Sequence, residues 1–233
     1  MKVVIVGGGI IGLSSAFYLQ KSGWDVTVLD KSDFTDSCCY GSAGYICPSH
    51  FIPMATPGIV KKGLKWMWNS KSPFYVQPRL DWDLISWGLK FMKSAKKENV
   101  EAAAIPLRDI AILSKGEYED WFKIPGFDFA YEQKGVLEIF QTEEYAGHAK
   151  HVYEKAHELG LTDTRLIGRE ELQSLEPQTT VNGKGAILYN CDAHCYPNKL
   201  MESLIAYLKA KGVKIIPNQE AIQFEKRNGA VTK

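Results

Sequence analysis

The chain has 233 residues, of which 45% are hydrophobic and 24% are charged, and its formal net charge at pH 7 is +1. A chain of this length can bury a sizeable core in one large or two smaller domains. The nearly balanced charge gives no electrostatic reason to expect nucleic acid as a partner, and none is expected. No apolar run approaches the roughly 18 residues that a transmembrane helix needs, so no such helix is predicted.

The cysteines and the first residues indicate a reducing, cytoplasmic environment. Met1 directly precedes the first predicted strand, which leaves no room for a secretory signal peptide, and the five cysteines are expected to be reduced thiols. Cys191, Asp192, His194 and Cys195 place potential metal ligands close together, but structural zinc sites usually combine ligand pairs from separated segments. We therefore favour a loop with buried thiols and expect no metal.

Residues 3–12 predict a nucleotide-binding turn. Residues 3–6 form a β-branched run, typical of a parallel strand that is buried on both faces. Gly7, Gly9 and Gly12 follow in the spacing GxGxxG, which supplies a tight turn, close approach of a pyrophosphate and close packing of a helix on the strand. The N-terminus of that helix then faces the phosphates with free N–H groups and the positive end of its dipole.

The residues after the turn supply the context that this fingerprint requires. Residues 13–20 are compatible with a helix, Gly23 ends it, and residues 26–29 form a second strand that leads to Asp30. An acid at this position can accept hydrogen bonds from an adenosine ribose and would repel a 2′-phosphate, which argues against NADP. An ordinary βαβ turn without a ligand is the alternative, but the full context favours a site for an adenosine diphosphate group.

The segment over residues 31–58 differs from that of an NAD dehydrogenase, which would continue with alternating strands and helices. It is long, rich in small residues and proline, and without clear periodicity. The small residues 41–44 let the backbone approach a flat ligand closely, as an isoalloxazine ring requires; a surface connection is the alternative. Tyr45 and His50 follow and are candidates to border the substrate side, with ordinary packing as the alternative.

The chain resembles the FAD-dependent amino-acid oxidoreductases related to D-amino acid oxidase and glycine oxidase, and most closely the bacterial D-amino acid dehydrogenases. The matching stretches are VVIVGGGIIGLSSAFYL, the acid Asp30, AGYICPS from Ala43, TPGIVKKGLKWMW, GVLEIF from Gly135 and, more weakly, ILYNCDAHCYPNKL near Ile187. Ser42 departs from the dehydrogenase pattern, which has Asn at that position.

This resemblance implies FAD as the cofactor and an α/β fold, in which a Rossmann-like FAD-binding domain with a parallel sheet is interrupted by an α+β substrate or cap domain. The implied domains are residues 1–50, the first part of the FAD-binding domain; residues 51–165, the cap with helices followed by strands; and residues 166–233, an incomplete return to the FAD-binding domain. The residues expected to contact the cofactor, from the turn and the resemblance together, are Gly7, Gly8, Gly9, Ile10, Ile11, Gly12, Asp30, Lys31, Ser42, Ala43, Gly44 and Ala221.

The implied reaction is oxidative deamination of a D-amino acid to a 2-keto acid and ammonia, with hydride transfer to flavin N5. An oxidase of the glycine, sarcosine or proline type and a nucleotide-binding chain without turnover are the alternatives. The reaction needs a cationic group for the substrate carboxylate, but no arginine sits in a motif that marks it as this group. We expect it beyond Lys233 and assign no catalytic residue. The implied electron acceptor is a quinone or the respiratory chain.

Residues 59–78 combine several lysines with two tryptophans. Such a combination can seat a segment at a membrane surface, which would place the protein peripherally on the cytoplasmic face of the inner membrane. A helix with buried tryptophans and solvated lysines is the interpretation that we favour.

Hydrophobic periodicity predicts the remaining elements. They are helices near residues 84–91 and 107–122, a strand-like stretch over 127–140, helices over 142–160 and 169–176, a strand over 186–189, a helix over 197–211, a strand over 213–216 and a strand over 221–225 before a hairpin turn at Asn228 and Gly229. Glu144, His148 and His151 share a helix face, which we interpret as solvated rather than as metal-binding. Since the chain ends two residues into a predicted strand, we expect the N-terminal part of a longer protein that is inactive on its own.

Overall fold

The structure is a computed structural model that describes residues 1–59, 63, 79, 81–227 and 230–231. The strands are β1 (Lys2–Val6), β2 (Asp25–Leu29), β3 (Tyr45–Ile46), β4 (Val136–Phe140), β5 (Thr164–Gly168), β6 (Gly185–Tyr189), β7 (Ala193–His194), β8 (Lys214–Ile216), β9 (Lys226–Arg227) and β10 (Ala230–Val231). The helices are α1 (Ile10–Lys21), α2 (Trp82–Ser94), α3 (Lys97–Phe122), α4 (Glu143–Glu158), α5 (Arg169–Leu175) and α6 (Pro197–Ala210). Apart from residues 59 and 63, the predicted basic and aromatic segment over 59–78 lies outside the described residues.

Contacts group the chain into two compact units. Unit 1 comprises Met1–Ile46, Glu117–Gln133 and Ala193–Lys233, and unit 2 comprises Cys47–Gly116 and Lys134–Asp192. Residues 117–133 group with unit 1 and residues 166–192 group with unit 2, whereas β7, which begins at residue 193, belongs to unit 1. The reason is packing: Trp121 lies in the core of unit 1, and Leu172 lies in a core cluster of unit 2.

Unit 1 contains the predicted parallel sheet. Its strand order is β1-β2-β8, and both neighbouring pairs are parallel, which confirms the predicted α/β class. Burial of β1 on both faces, however, was a wrong prediction. Val4 and Val6 are 60% and 50% exposed, because the residues that the structure describes cover only the face of this edge strand that carries Val3 and Ile5.

Two helices cover the inner face of this sheet. Helix α1 buries Leu13, Ala16 and Phe17, whose spacing of three and four residues puts them on one face. Helix α6 contacts α1 and buries its own apolar residues, Pro197, Leu200, Met201, Leu204 and Leu208. The Phe17 ring lies 5.3 Å from that of Trp121, so the end of α3 completes this core.

A short strand pair brings the small-residue segment beside the start of α6. Tyr45 of β3 pairs with His194 of β7 in antiparallel fashion, and the Gly44 carbonyl accepts a hydrogen bond from Cys195 N at 2.9 Å. Gly44 has φ +73°, and a Cβ at this position would overlap the Cys195 carbonyl oxygen. Only glycine therefore fits this position.

Unit 2 is built on an antiparallel sheet of order β4-β6-β5. The central strand β6 is buried along its whole length. Helix α4 begins where it was predicted, because Thr142 is the N-cap and its side chain accepts a hydrogen bond from Tyr145 N at 3.3 Å. The helix ends at Glu158, and Gly160 follows with φ +83°. The predicted bounds of this helix are therefore confirmed.

The predicted strand over residues 127–140 is wrong in its first half, since only Val136–Phe140 forms a strand. Phe127 and Phe129 are buried in the core of unit 1. Their alternating pattern therefore reflects aromatic burial rather than a sheet.

The predicted strand over residues 221–225 is also wrong, because this segment contains no strand. The first strand of the antiparallel hairpin is instead β9, which pairs with β10. The partner strand begins at Ala230, as predicted. Ile222 and Phe224 are 89% and 56% exposed. The alternating apolar pattern of this segment therefore does not correspond to a strand with one buried face among the described residues.

Candidate functional site

The glycine turn after β1 needs glycine for two separate reasons. Gly7 has φ +105°, a conformation that side chains with a Cβ rarely adopt, and its N–H donates to the Leu29 carbonyl at 2.9 Å. A Cβ at Gly12 would overlap the carbonyl oxygen of Gly7. The first glycine therefore makes the turn, and the third lets α1 pack directly against it, as the spacing predicted.

The first turn of α1 presents backbone N–H groups without a side-chain cap. Gly9 is the N-cap, and no side chain among the described residues caps it. No acidic residue lies in the first turn. The unsatisfied N–H groups and the helix dipole favour an anion here, and a diphosphate is the anion that the spacing indicates.

Asp30 lies beside this turn and binds it directly. Its Oδ2 accepts a hydrogen bond from Gly8 N at 2.5 Å. Its Oδ1 accepts two more, from Ser32 N at 2.8 Å and from Ser32 Oγ at 2.9 Å. The carboxylate is thus oriented by the glycine turn on one side and by an Asx-type turn on the other.

These contacts hold Asp30 in its charged form. Burial raises its pKa, but the hydrogen bonds from Gly8 and Ser32 outweigh burial, and the net pKa is lower than the ordinary value of 3.8. A carboxylate has about four acceptor sites, and three are used here. About one site on Oδ2 is left to accept a hydrogen bond from a ribose hydroxyl.

The returning strand β8 fixes the backbone around Asp30. Asp30 N donates to the Ile216 carbonyl at 3.1 Å, and Gln219 N donates to the Asp30 carbonyl at 2.7 Å. Asn218 N donates to the Ser32 carbonyl at 2.8 Å. Ala221, the predicted adenine neighbour, follows two residues later and is half-buried.

A cavity of about 100 Å³ in unit 1 brings several predicted cofactor contacts together. Ile10, Ser42 and Gly44 line it, and so does Tyr45, which was predicted for the substrate side. The remaining lining residues are Cys39, Ile46, Tyr118, Cys195, Pro197, Leu200 and Met201. The start of α1 and the small-residue segment, about thirty residues apart in the chain, therefore share one cavity.

Other predicted residues lie elsewhere. Lys31 and Ala43 are exposed, and Ile11 is 79% exposed; none of them lines the cavity. His50 belongs to unit 2, where it lines a separate pocket of about 220 Å³. The structure therefore places Tyr45 with the cofactor candidates and does not group His50 with it.

Sequence reasoning missed several neighbours of the site. Ser32 could have been found, because a serine two residues after an aspartate is a common Asx-turn signal. Tyr118 and Cys195 line the cavity from positions distant in sequence, and no local pattern marks them. Only the tertiary packing brings them to the site.

Three thiols, one buried and two half-buried, have raised pKa values. Burial raises the pKa of Cys195 to about 11. Burial, followed by the charge of Asp192, raises the pKa of Cys47 and of Cys191 to about 12. These thiols stay protonated at neutral pH, and no group of three or more potential ligands within the described ranges is placed to hold a metal ion.

The helices of the described part of the chain include none that is long and apolar enough to cross a membrane.

Comparison with known proteins assigns the chain to a family. A family model described as "DAO: FAD dependent oxidoreductase" matches residues 2–233. A D-amino acid dehydrogenase of Helicobacter pylori is 32% identical over 234 residues, which cover 99% of this chain and 55% of that protein. The chain thus spans about half the length of this curated relative.

Solved structures share the fold. Glycine oxidase from Bacillus cereus is similar with a TM-score of 0.64 and 19% identity, over 98% of this chain and 50% of that one. L-alpha-glycerophosphate oxidase from Mycoplasma pneumoniae, solved with FAD bound, is similar with a TM-score of 0.63 and 17% identity, over 97% of this chain and 47% of that one.

The residues present fit the adenosine diphosphate half of FAD. The turn leaves no room for a Cβ at Gly12, the uncapped start of α1 offers N–H donors, and the Asp30 carboxylate retains acceptor capacity for a ribose. These are the groups that a dinucleotide needs at the end of a first parallel strand.

Proposed function

The chain belongs to the DAO family of FAD dependent oxidoreductases, its cofactor is FAD, and from this premise we propose that the whole protein oxidises a D-amino acid to a 2-keto acid and ammonia. The chemistry that bound FAD supplies is the acceptance of a hydride from the substrate Cα at flavin N5, after which the imino acid is hydrolysed by water. The proposal concerns the whole protein, because the chain spans 55% of the relative that it resembles in sequence.

One observation carries the proposal: the glycine turn and Asp30 form a cradle that fits adenosine diphosphate, in a chain 32% identical to a D-amino acid dehydrogenase. The solved structures that share the fold act on different compounds according to their names. The fold alone therefore does not select the substrate, and the sequence relationship favours D-amino acids.

The residues of this chain would bind and orient the cofactor. The first turn of α1 would hold the diphosphate by its N–H groups, and Asp30 would accept a hydrogen bond from the ribose. Ser42 and Gly44 line the adjoining cavity, and their backbone would lie against the isoalloxazine ring. Tyr45, 64% exposed in the same segment, is our candidate for the substrate side.

The test is anaerobic reduction of the FAD-loaded protein by single amino acids. We expect D-amino acids to bleach the visible flavin absorbance, and their L-enantiomers (L-proline included), glycine and sarcosine to leave it unchanged. Bleaching by glycine, sarcosine or proline alone would replace the proposal with an oxidase of that type. Stable FAD binding without bleaching by any of these amino acids would instead favour a nucleotide-binding chain without turnover.

We further propose that the protein delivers its electrons to a membrane acceptor such as a quinone, and contacts the cytoplasmic face of the membrane peripherally. Helix α2 supports this, since it has no buried residue and exposes Trp82, Trp87 and Leu89 beside Lys90 and Lys93. Aromatic and basic residues on one amphipathic helix are typical of interfacial binding. In a flotation assay at low salt, we expect the protein to be recovered with anionic vesicles. Absence of binding would refute the proposed membrane contact.

A further inference from the structure

Phe34 has an unusual backbone conformation close to the glycine turn. Its φ is +72°, in the left-handed region that a bulky side chain rarely adopts. A strained residue of this kind persists only where its surroundings hold it in place. The contacts of Phe34 therefore indicate what maintains this conformation and what it achieves.

Hydrogen bonds hold the Phe34 backbone. Its carbonyl accepts a hydrogen bond from the Tyr40 hydroxyl at 2.8 Å, and its N–H donates to Ser32 Oγ at 3.3 Å. Ser32 Oγ in turn donates to Asp30 Oδ1. The strained residue is thus linked through one hydroxyl to the carboxylate beside the glycine turn.

The ring of Phe34 contacts the turn itself. The residue is 4% exposed and belongs to the core of unit 1, and a Cβ added at Gly8 would overlap the ring edge. Gly8 N donates to Asp30 Oδ2 at 2.5 Å. Gly8 is therefore held on two sides, by the ring against its Cα and by the carboxylate at its N–H.

We propose that Phe34 is a positioning residue, whose ring and strained backbone hold the glycine turn in the shape that receives the diphosphate of FAD. The inference rests on the proposed function of this turn as the FAD site. A turn that is already shaped loses less conformational freedom on binding, so its affinity is higher. A residue that only filled the core would stabilise the unit without affecting Gly8 or the affinity for FAD.

The first experiment probes the conformation of the glycine turn in the absence of FAD. A short hydrogen bond to a carboxylate should move the Gly8 amide proton far downfield in a ¹H–¹⁵N spectrum of glycine-labelled chain. We expect Phe34→Leu to weaken this hydrogen bond, which should shift the proton upfield by more than the loss of the Phe34 ring current alone and speed exchange of the Gly8 amide with solvent. Phe51→Leu is the matched control, since Phe51 is fully buried in a core cluster of unit 2, and it should leave the Gly8 signal in place.

The second experiment measures FAD affinity by quenching of flavin fluorescence. Phe34→Leu should bind FAD about tenfold more weakly than the original chain, whereas Phe51→Leu should bind it equally well. Phe34→Gly relieves the backbone strain but removes the ring, so it should bind FAD no more tightly than Phe34→Leu.

Several results would overturn the positioning role. They are a Gly8 amide whose exchange with solvent is not faster in Phe34→Leu, or FAD affinity in either Phe34 variant that equals or exceeds that of the original chain. If the original chain bound no FAD, the proposed function of the turn would fail instead, and the Gly8 signal would still decide whether Phe34 shapes the turn.

Discussion

At the scale of single residues, the site depends on how one carboxylate distributes its hydrogen bonds. Asp30 receives one hydrogen bond from Gly8 and two from Ser32, so the side chain that we propose binds the ribose also fixes the glycine turn. We therefore expect its charge to affect stability as well as the proposed binding.

Asp30→Asn should destabilise the chain in a pH-dependent way. Because the folded-state pKa of Asp30 lies below the ordinary value of 3.8, its charged form stabilises the folded state above about pH 4. This contribution is lost as the pH falls through the lower, folded-state pKa. The difference in unfolding free energy between the original chain and the variant should thus be largest near neutral pH and shrink in acid.

Urea unfolding at a series of pH values measures this difference. Asp36→Asn is a suitable control for removing one nearby negative charge, because Asp36 is exposed and its side chain takes part in no hydrogen bond among the described residues. A difference for Asp30→Asn that stays constant between pH 7 and pH 3 would contradict the assigned role of its charge.

At the scale of elements, helix caps should matter only where the helix is packed. Thr142 caps α4, which buries Ala149, Val152 and Ala156. Asp81 caps α2, which buries no residue, and its side chain accepts hydrogen bonds from Asp83 N and Leu84 N. The two caps are chemically similar, but only the first belongs to a helix in the core.

Thr142→Ala should therefore lower the unfolding free energy of unit 2 by about 1 kcal/mol, the usual effect of losing an N-cap. Asp81→Ala should leave global unfolding nearly unchanged and only speed amide hydrogen exchange within α2. Denaturant unfolding and hydrogen exchange of the two variants test this contrast. Equal losses of global stability would show that α2 is part of the cooperative unit.

Elements with strong local signals were predictable from sequence. The parallel pair β1 and β2, helix α1 and the N-cap Thr142 follow from apolar spacing, glycine turns and capping chemistry. The stretch from Phe127 to Phe129 was not predictable, because its alternation comes from burial among aromatic rings of other segments. Local periodicity does not reveal which partner a side chain packs against.

At the scale of the whole molecule, the grouping into units depends on contacts between residues far apart in sequence. Tyr18 of α1 donates to Glu117 Oε2 at 2.5 Å, which attaches the end of α3 to unit 1. The cavity lining by Tyr118 and Cys195 depends on the same packing. No local motif contains this information, so sequence predicted the nucleotide turn and Asp30 but not the residues that complete the cavity.

The central claim, that the glycine turn holds the diphosphate of FAD, is tested most directly by comparing FAD affinities of three chains. Gly12→Ala places a Cβ where it would overlap the Gly7 carbonyl, whereas Gly147→Ala adds one in open space at an exposed position of α4. We predict that the original chain and Gly147→Ala bind FAD equally, and that Gly12→Ala stays folded but binds it at least about tenfold more weakly. A folded Gly12→Ala variant with unchanged affinity, or an original chain that binds no FAD, would contradict the claim.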